Sequence, residues 1–345
     1  VGITNEQGGN IGTITNNQQL DKIDNTGEIT TITNASTITD VFNKSGATIG
    51  TFGNETGGTV TNGFSNEGTV TTLNNKGTFS QGITNKDGGK IENLTNDGTI
   101  NVGITNEQGG NIGTITNNQD IDKIDNSGEI TQVENNATIT ELTNNQGATI
   151  TTFENNKEVT NDFTNDGTIT TLNNNNGGTL NNLTNSGSGN IGTLKNEGTL
   201  NGKLTNEDGG TISRIDNHST ITEIENQQGG TITDLNNNAN ATITTLNNSG
   251  DITNAFTNEG SITTLNNNAT GTMKDLTNAT NASIGTLTNE GTLTGGITNE
   301  TNGQIADIIN KATLDTITNR GSITNQIDNQ SGATIAKIDN QNAAE

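Results

Sequence analysis

Aliphatic residues recur in pairs along this 345-residue chain, and an asparagine follows each pair at a fixed distance. The repeating unit reads apolar residue, two or three other residues, apolar residue, any residue and asparagine, followed by a link rich in glycine and threonine. The stretch GTVTTLNN at 68–75 shows it with Val70, Leu73 and Asn75. There are 33 complete units, averaging ten residues, and half of another precedes them. Repeats this short are typical of solenoid proteins.

The spacing between units changes only in steps of two. From each asparagine to the next apolar residue the distance is 4 residues in 18 cases, 6 in 15 cases and never 5. Side chains of a β-strand alternate between its two faces, so a change of two residues keeps inward positions inward. The pattern therefore predicts a strand-like stretch in which Leu73, Asn75, Gly77 and Phe79 all face the interior. The corner of the coil is expected in the link between the paired apolar residues, as at 71–72.

Stacking is required because one unit with two apolar side chains cannot bury them alone. We predict an all-β fold, a parallel β-solenoid (β-helix) of 33 to 34 units that runs continuously over 1–345. Inward asparagines of coils stacked about 4.8 Å apart would lie above one another and hydrogen-bond as a ladder. Ten of the expected ladder residues are Asn16, Asn25, Asn34, Asn75, Asn96, Asn117, Asn174, Asn217, Asn267 and Asn319.

One coil could hold one, two or three units. Two is preferred, because long and short links do not alternate along the chain and both halves of a coil then look equivalent. Long links such as 107–111 are expected to bulge outward on their glycines. The phrase ITNEQGGNIGTITNN at 3–17 returns at 104–118, which indicates duplication of a ten-unit cassette. The resulting super-repeats are 1–101, 102–201, 202–294 and a partial one at 295–345.

Composition alone would favour disorder, because only 25 % of the residues are hydrophobic and 2 % aromatic. The fixed register of the asparagines argues against disorder.

A net charge of −24 opposes binding to nucleic acid or to anionic lipid. No apolar stretch is long enough for membrane insertion, and the chain lacks cysteine for disulfides. Because it opens in mid-phrase, we expect it to be a segment of a longer protein.

The repeated GTITxLxN phrases, such as GTITTLNN at 167–174, carry a family resemblance. The chain resembles the Gly/Asn/Thr-rich repeat regions of bacterial autotransporter passengers and filamentous-haemagglutinin-like adhesins, over essentially its whole length. The resemblance implies a secreted or cell-surface β-solenoid that serves as a stalk, adhesive rod or filament of a larger bacterial protein. It also implies an extracellular or cell-surface location.

One glycine motif has the spacing of a dinucleotide-binding loop. Gly187, Gly189 and Gly192 match G-x-G-x-x-G, which binds a dinucleotide only between a strand and a helix. Here the motif lies in a long link before the apolar residue Ile191. The structural interpretation is favoured.

A group of aspartates offers oxygen ligands for calcium or a carboxylate pair for polysaccharide cleavage. Asp120 and Asp122 flank an inward Ile121 and should point to solvent together, with Asp125 and Lys123 beside them. A solvated, charged surface is the favoured interpretation. The lone His218 is expected in an exposed link. We therefore predict no catalytic residue, no metal site, no cofactor and no enzymatic activity.

Threonine supports an alternative function. Threonine flanks the first apolar residue on both sides in ten units. Stacked T-x-T rows could form an ice-binding or carbohydrate-binding face, although charged pairs such as Lys90/Glu92 and Asp120/Asp122, and the pair Gln19/Asp21, interrupt the rows. Representative rows are Thr37/Thr39, Thr69/Thr71, Thr168/Thr170, Thr220/Thr222, Thr231/Thr233 and Thr242/Thr244.

Glycosylation sequons begin at Asn54, Asn240 and Asn268, and are expected by chance in so Asn- and Thr-rich a chain. The function that the sequence favours is a non-enzymatic structural or adhesive rod, or a filament-forming segment. The expected partners are flanking repeats of the same protein or a second copy joined end to end. A polysaccharide-active β-helix enzyme stays a further alternative.

Overall fold

The computed structural model describes residues 1–341, which form strands and turns and no helix. The chain divides into two compact units, Val1–Thr170 and Thr171–Glu345. This boundary does not coincide with any of the super-repeat boundaries at 101, 201 and 294. The end of the last super-repeat, 342–345, lies outside the described residues.

The first unit holds twenty strands, and a further strand crosses into the second unit. They are β1 (Gly2–Asn5), β2 (Asn10–Asn16), β3 (Leu20–Asn25), β4 (Glu28–Asn34), β5 (Thr37–Asn43), β6 (Thr48–Asn54), β7 (Thr59–Val60), β8 (Phe64–Asn66), β9 (Thr69–Asn75), β10 (Thr78–Phe79), β11 (Ile83–Asn85), β12 (Lys90–Asn96), β13 (Thr99–Ile100), β14 (Ile104–Asn106), β15 (Asn111–Asn117), β16 (Ile121–Asn126), β17 (Glu129–Asn135), β18 (Thr138–Asn144), β19 (Thr149–Asn155), β20 (Glu158–Asn165) and the crossing strand β21 (Thr168–Asn174).

The second unit repeats the arrangement. Its strands are β22 (Thr179–Asn185), β23 (Asn190–Asn196), β24 (Thr199–Asn206), β25 (Thr211–Asn217), β26 (Thr220–Asn226), β27 (Thr231–Asn237), β28 (Thr242–Asn248), β29 (Asp251–Ile252), β30 (Phe256–Asn258), β31 (Ser261–Asn267), β32 (Thr272–Asn278), β33 (Ser283–Asn289), β34 (Thr292–Asn299), β35 (Gln304–Asn310), β36 (Thr313–Asn319), β37 (Ser322–Asn329) and β38 (Thr334–Asn340).

Full-length strands belong alternately to two parallel sheets in each unit. The divided strands β7/β8, β10/β11, β13/β14 and β29/β30 each take a single place in one sheet. In the first unit, sheet A begins with β1, β3 and β5, and sheet B begins with β2, β4 and β6. In the second unit, sheet C begins with β22, β24 and β26, and sheet D with β23, β25 and β27. Asn16 pairs with Asn34, two sequence units later. The parallel β-solenoid is therefore confirmed with two units per coil, and about 17 coils in all.

The repeat pattern fixes what each strand buries. In seven-residue strands such as β9, the second, fifth and seventh positions are buried, here Val70, Leu73 and Asn75. Each sheet thus contributes two apolar columns and one asparagine column to the interior. Rings from opposite sheets meet inside the first unit, where the Phe52 ring centroid lies 5.0 Å from that of Phe64 and 6.1 Å from that of Phe79. The sparse apolar residues suffice because nearly all of them lie in these columns.

The expected corner at 71–72 is wrong. Strand β9 runs through those residues, and the chain passes to the other sheet after Asn75, through Lys76 and Gly77. Strand pairing omits only Thr71, so the break in alternation is a kink within the strand. Gly77 is partly exposed and lies in the turn, whereas the sequence placed it inside a strand.

Two turn lengths explain why the spacing never takes an odd value. Short turns have two residues between strands, or three before β3 and β16 where the strand begins one residue later, and long turns have four. Every long turn in the described chain closes with a hydrogen bond from the fourth residue's N–H to the first residue's carbonyl, as from Gly110 to Glu107 (2.9 Å). Gly109 has a φ of 81°, as the third position of a type II turn requires, and residues 107–109 are exposed. The outward bulge of the long links is confirmed.

Glycine is needed in the short turns for a steric reason. A Cβ on Gly77 would lie 2.1 Å from the carbonyl oxygen of Gly58 in the preceding coil. The short turn lies directly against the backbone of the long turn beside it, so no side chain fits there. The common asparagine-x-glycine-threonine phrase is thus the sequence of a short turn.

Candidate functional site

The asparagine ladder of the first unit follows both sheets without interruption. On sheet B each Nδ2 donates to the Oδ1 of the next coil's asparagine, as from Asn54 to Asn75 (2.8 Å) and from Asn75 to Asn96 (2.9 Å). The ladder on sheet A has the same geometry, as from Asn25 to Asn43 (2.9 Å). The named residues of this unit are all buried: Asn16, Asn25, Asn34, Asn75, Asn96 and Asn117.

The second unit carries the same two ladders. Asn174 donates to Asn196 and Asn196 to Asn217, each at 2.8 Å, on sheet D. Asn267 donates to Asn289 on sheet C at 2.9 Å. The remaining named residue, Asn319, is also buried and donates to Asn340 at 2.9 Å. The sequence prediction of the ladder is confirmed in both units.

A ladder asparagine also joins the two sheets of its unit. Asn25 Nδ2, at the end of β3, donates to the carbonyl oxygen of Thr48 (3.0 Å), the first residue of β6 on the opposite sheet. Asn75 does the same with the Thr99 carbonyl oxygen (3.1 Å). Among the described residues, every buried side-chain nitrogen and oxygen has a hydrogen-bond partner. The amides therefore hold coil to coil and sheet to sheet, and leave no donor inside the coils for a ligand.

The G-x-G-x-x-G motif lies in a turn between two strands. Gly187 has a φ of 42°, and Gly189 closes the turn by donating its N–H to the Ser186 carbonyl oxygen at 2.5 Å. The ladder amide of Asn185 donates to the Gly189 carbonyl oxygen (3.0 Å). Gly192 lies in strand β23, not in a helix. The helix N-terminus that a dinucleotide phosphate needs is missing at this place.

The aspartate group lies on the outer surface of sheet A. Asp120 and Asp122 are exposed on either side of buried Ile121, as expected. The Asp122 carboxylate accepts a hydrogen bond from the Val102 backbone N–H (3.0 Å). Lys123 pairs with Asp125 at 3.5 Å. In residues 1–341 no three His, Cys, Asp or Glu side chains are grouped to hold a metal ion.

Lysine pairing gives this surface its electrostatic character. Lys123 Nζ lies 3.0 Å from Glu141 on the next coil, and that hydrogen bond raises the pKa of Lys123, against the opposing effect of burial and with help from Asp125. Lys203 repeats the arrangement with Glu225 and Glu223, whose hydrogen bonds raise its pKa. Both lysines are held charged, so they act as ion-pair partners between coils.

The remaining sequence candidates lie in turns. His218 is exposed, and its backbone N–H donates to the Asn196 carbonyl oxygen (2.8 Å). The sequon residue Asn54 is fully buried in the ladder, so a glycan cannot reach it. Asn240 is exposed at a turn with a φ of 68°, and Asn268 is half-buried. Of these three sequons, only those in turns are accessible.

The T-x-T rows do not form one column. Thr37/Thr39 lies on sheet A, whereas Thr69/Thr71 lies on sheet B. In the second unit, Thr220/Thr222 and Thr242/Thr244 are neighbours on sheet C, and Thr231/Thr233 lies on sheet D. Because each coil holds two units, T-x-T rows in consecutive units lie on opposite sheets. The face on which a row lies can therefore be assigned only when the number of units per coil is known.

Sequence reasoning missed a stack of irregular strands on sheet A. In three consecutive coils the paired apolar residues are four apart, as in Val60/Phe64, and the strand breaks between them. Val102 lies in the third break, 60 % exposed and with a φ of 64°. The unusual spacing was the available signal. It marks a local break in the regular strands of sheet A.

Shallow recesses occur where a short turn lies between two long ones. A recess of about 540 Å³ is lined by the turns around 6–10, 26–28 and 44–48. Its carboxylate, Glu28, accepts a hydrogen bond from Asn10 Nδ2 (3.3 Å). A similar recess of about 390 Å³ lies in the second unit around Glu259. These two recesses hold one carboxylate each. A third, of about 530 Å³, is lined by both Glu290 and Asp315, and Glu290 is paired there with Lys311 Nζ at 2.6 Å.

Comparisons with known proteins add nothing to this geometry. Among residues 1–341 no helix has the length and apolar character to cross a membrane. No protein-family model, no curated protein and no solved structure matches the chain.

Proposed function

We propose that the chain is a non-enzymatic structural or adhesive segment of a bacterial cell-surface or secreted protein. The observation that carries this proposal is the ladder, in which each coil repeats the same buried amide bonds to the next coil, as Asn54, Asn75 and Asn96 do. Such a stack resists deformation along its length because each added coil brings the same contacts. Its outer positions accept varied polar residues without any change to the interior.

The surface composition supports this proposal. Outward positions carry threonine, asparagine and ion pairs between coils, such as Lys76 with Glu55 at 3.2 Å. Single exposed pairs of this kind stabilise little, and serve mainly to keep the surface solvated. A strongly acidic, polar exterior is suited to a protein that stays extended in water and does not adhere to itself non-specifically.

The partner we propose is another solenoid coil, either from flanking repeats or from a second copy. At β38, Ile338 is 52 % exposed, whereas Ile317, which pairs with it in β36, is fully buried. An uncovered parallel strand presents unpaired N–H and C=O groups to any strand of matching register. A further coil of the same repeat supplies that register.

Location is tested in cells that produce the protein, and activity is tested on the purified chain. An antibody raised against the chain should label intact cells without permeabilisation, or detect the chain in the culture medium. Labelling only after permeabilisation would reject the cell-surface proposal. Purified chain should not turn over acidic polysaccharides, and turnover that Asp122→Ala removes would establish an enzyme instead.

A further inference from the structure

Sheet C of the second unit presents a double column of outward side chains without charge. The first residues of its eight strands pair in register from coil to coil. The third residues lie two positions further along each strand, and the register shifts beside them in β24 and β37, which each carry one extra residue. We call these sixteen positions the uncharged face: Thr179, Asn181, Thr199, Asn201, Thr220, Thr222, Thr242, Thr244, Ser261, Thr263, Ser283, Gly285, Gln304, Ala306, Ser322 and Thr324. None of them is charged, and none is buried.

The absence of charge is particular to these two columns, because the next outward positions on the same sheet carry Lys203, Glu223 and Asp307. The chain carries 38 acidic and 14 basic residues, and equivalent positions on the other sheets contain them. Lys90 and Glu92 lie on sheet B, Asp120 on sheet A, and Asp251 and Lys274 on sheet D. The charged pairs that interrupt the T-x-T rows in the sequence therefore all lie away from the uncharged face.

The uncharged face widens in its middle. In β28, β31 and β33 the outward positions beyond the double column are also uncharged, and they are Thr245, Asn247, Thr264, Asn266, Thr286 and Thr288. Side chains there are fixed by bonds between coils. Asn266 Nδ2 donates to Asn247 Oδ1 (2.9 Å), and Ser283 Oγ lies 3.0 Å from Ser261 Oγ.

We propose that the uncharged face binds the surface of ice. Its groups repeat at about 4.8 Å from coil to coil and about 6.6 Å along each strand, over roughly 34 Å for eight strands. Eight of the sixteen positions are threonine and three are serine. Threonine has few χ1 rotamers, so little side-chain entropy opposes the holding of surface waters at those eight positions. The surface of ice presents hydrogen-bonding groups that repeat in two dimensions. A regular array of hydroxyl and methyl groups can hold water molecules in an order that matches this surface.

Other occupants fit this surface less well. An ionic partner finds no charge on the sixteen positions. A soluble small molecule needs a concave pocket, whereas these columns follow the outer face of a sheet. A polysaccharide surface is usually met by aromatic side chains, whose rings offer large apolar area, and the sixteen positions include none.

The test compares two matched double variants of the full chain. Thr222→Lys with Thr244→Lys places two charges in adjacent coils of the uncharged face. Ser213→Lys with Thr233→Lys places the same charges at the third positions of two adjacent strands of sheet D, again directly after buried isoleucines. Far-UV circular dichroism and thermal unfolding check that both variants fold. Thermal hysteresis, ice recrystallisation and partition into a growing ice hemisphere are measured on all three proteins.

We expect the unmodified chain and the sheet D variant to shape ice and inhibit recrystallisation, and the sheet C variant to lose both effects. The proposal is overturned if the unmodified chain leaves ice unaffected, or if both variants retain or lose the effect equally. Binding to insoluble cellulose or chitin without any effect on ice would likewise overturn it, and would assign the surface to polysaccharide. None of these outcomes bears on the structural role proposed above.

Discussion

At the scale of single residues, neighbouring asparagines have unrelated roles. Asn75 is fully buried, accepts from Asn54 and donates both to Asn96 and to the Thr99 carbonyl oxygen. Asn74, one position earlier, lies on the outer side of the same strand. The repeat sequence alone separates them, because only the residue two places after the second apolar side chain turns inward.

Replacement of a ladder asparagine should therefore be costly. We expect Asn75→Ala to lower the free energy of unfolding by about 2 kcal/mol or more, since each buried group left without a partner costs about 1–3 kcal/mol. Asn74→Ala is the matched control and should change it by less than about 0.5 kcal/mol. Denaturant unfolding of the two variants measures the difference, and equal effects would contradict a buried ladder.

At the scale of elements, the turns decide which glycines are needed. Gly77 in a short turn has no room for a Cβ, whereas a Cβ on Gly12, in strand β2, would have no heavy atom within 4 Å. We expect Gly77→Ala to destabilise the fold, because the methyl group collides with the Gly58 carbonyl oxygen. Gly12→Ala should be neutral or stabilise by about 0.5–1 kcal/mol.

Thermal unfolding of these two alanine variants measures both effects. A Gly77→Ala protein as stable as the unmodified chain would mean that short turns do not lie against the preceding coil.

The repeat pattern predicted the strands and the buried asparagines, because both follow from which residues alternate. Two units per coil was predicted from the irregular order of long and short links. The repeat pattern misplaced the corner, because an even distance such as that from Asn75 to Phe79 is produced equally by a continuous pleat and by a two-residue turn. The unit alone does not assign Thr222 and Thr233 to opposite sheets, because that assignment follows only from two units per coil. Which side chains share one outer face depends on how the coils stack, and the sequence of a single unit does not contain that information.

At the scale of the whole molecule, an uncovered coil should promote association. If a second copy stacks on β38, the chain will self-associate at high concentration, and Ile338→Lys will weaken that association by placing a charge on the contact. Val102→Lys is the control, because Val102 is also an exposed aliphatic residue, at 60 %, but lies in the first unit. Sedimentation equilibrium over a range of concentrations measures both.

Identical association of these two lysine variants and the unmodified chain would reject stacking of copies on β38.

The central claim, two repeat units per coil in a parallel stack, is tested most directly by disulfide formation between introduced cysteines, since the chain has none of its own. Asn74 pairs directly with Thr95 in the adjacent coil, about 4.8 Å away, within the range that a disulfide bridges. Asn74→Cys with Thr95→Cys should cross-link on mild oxidation, whereas Asn74→Cys with Thr84→Cys or Thr105→Cys, the equivalent positions one and three units later, should not. Cross-linking to position 84 or 105 in place of 95 would mean one or three units per coil and would contradict the account.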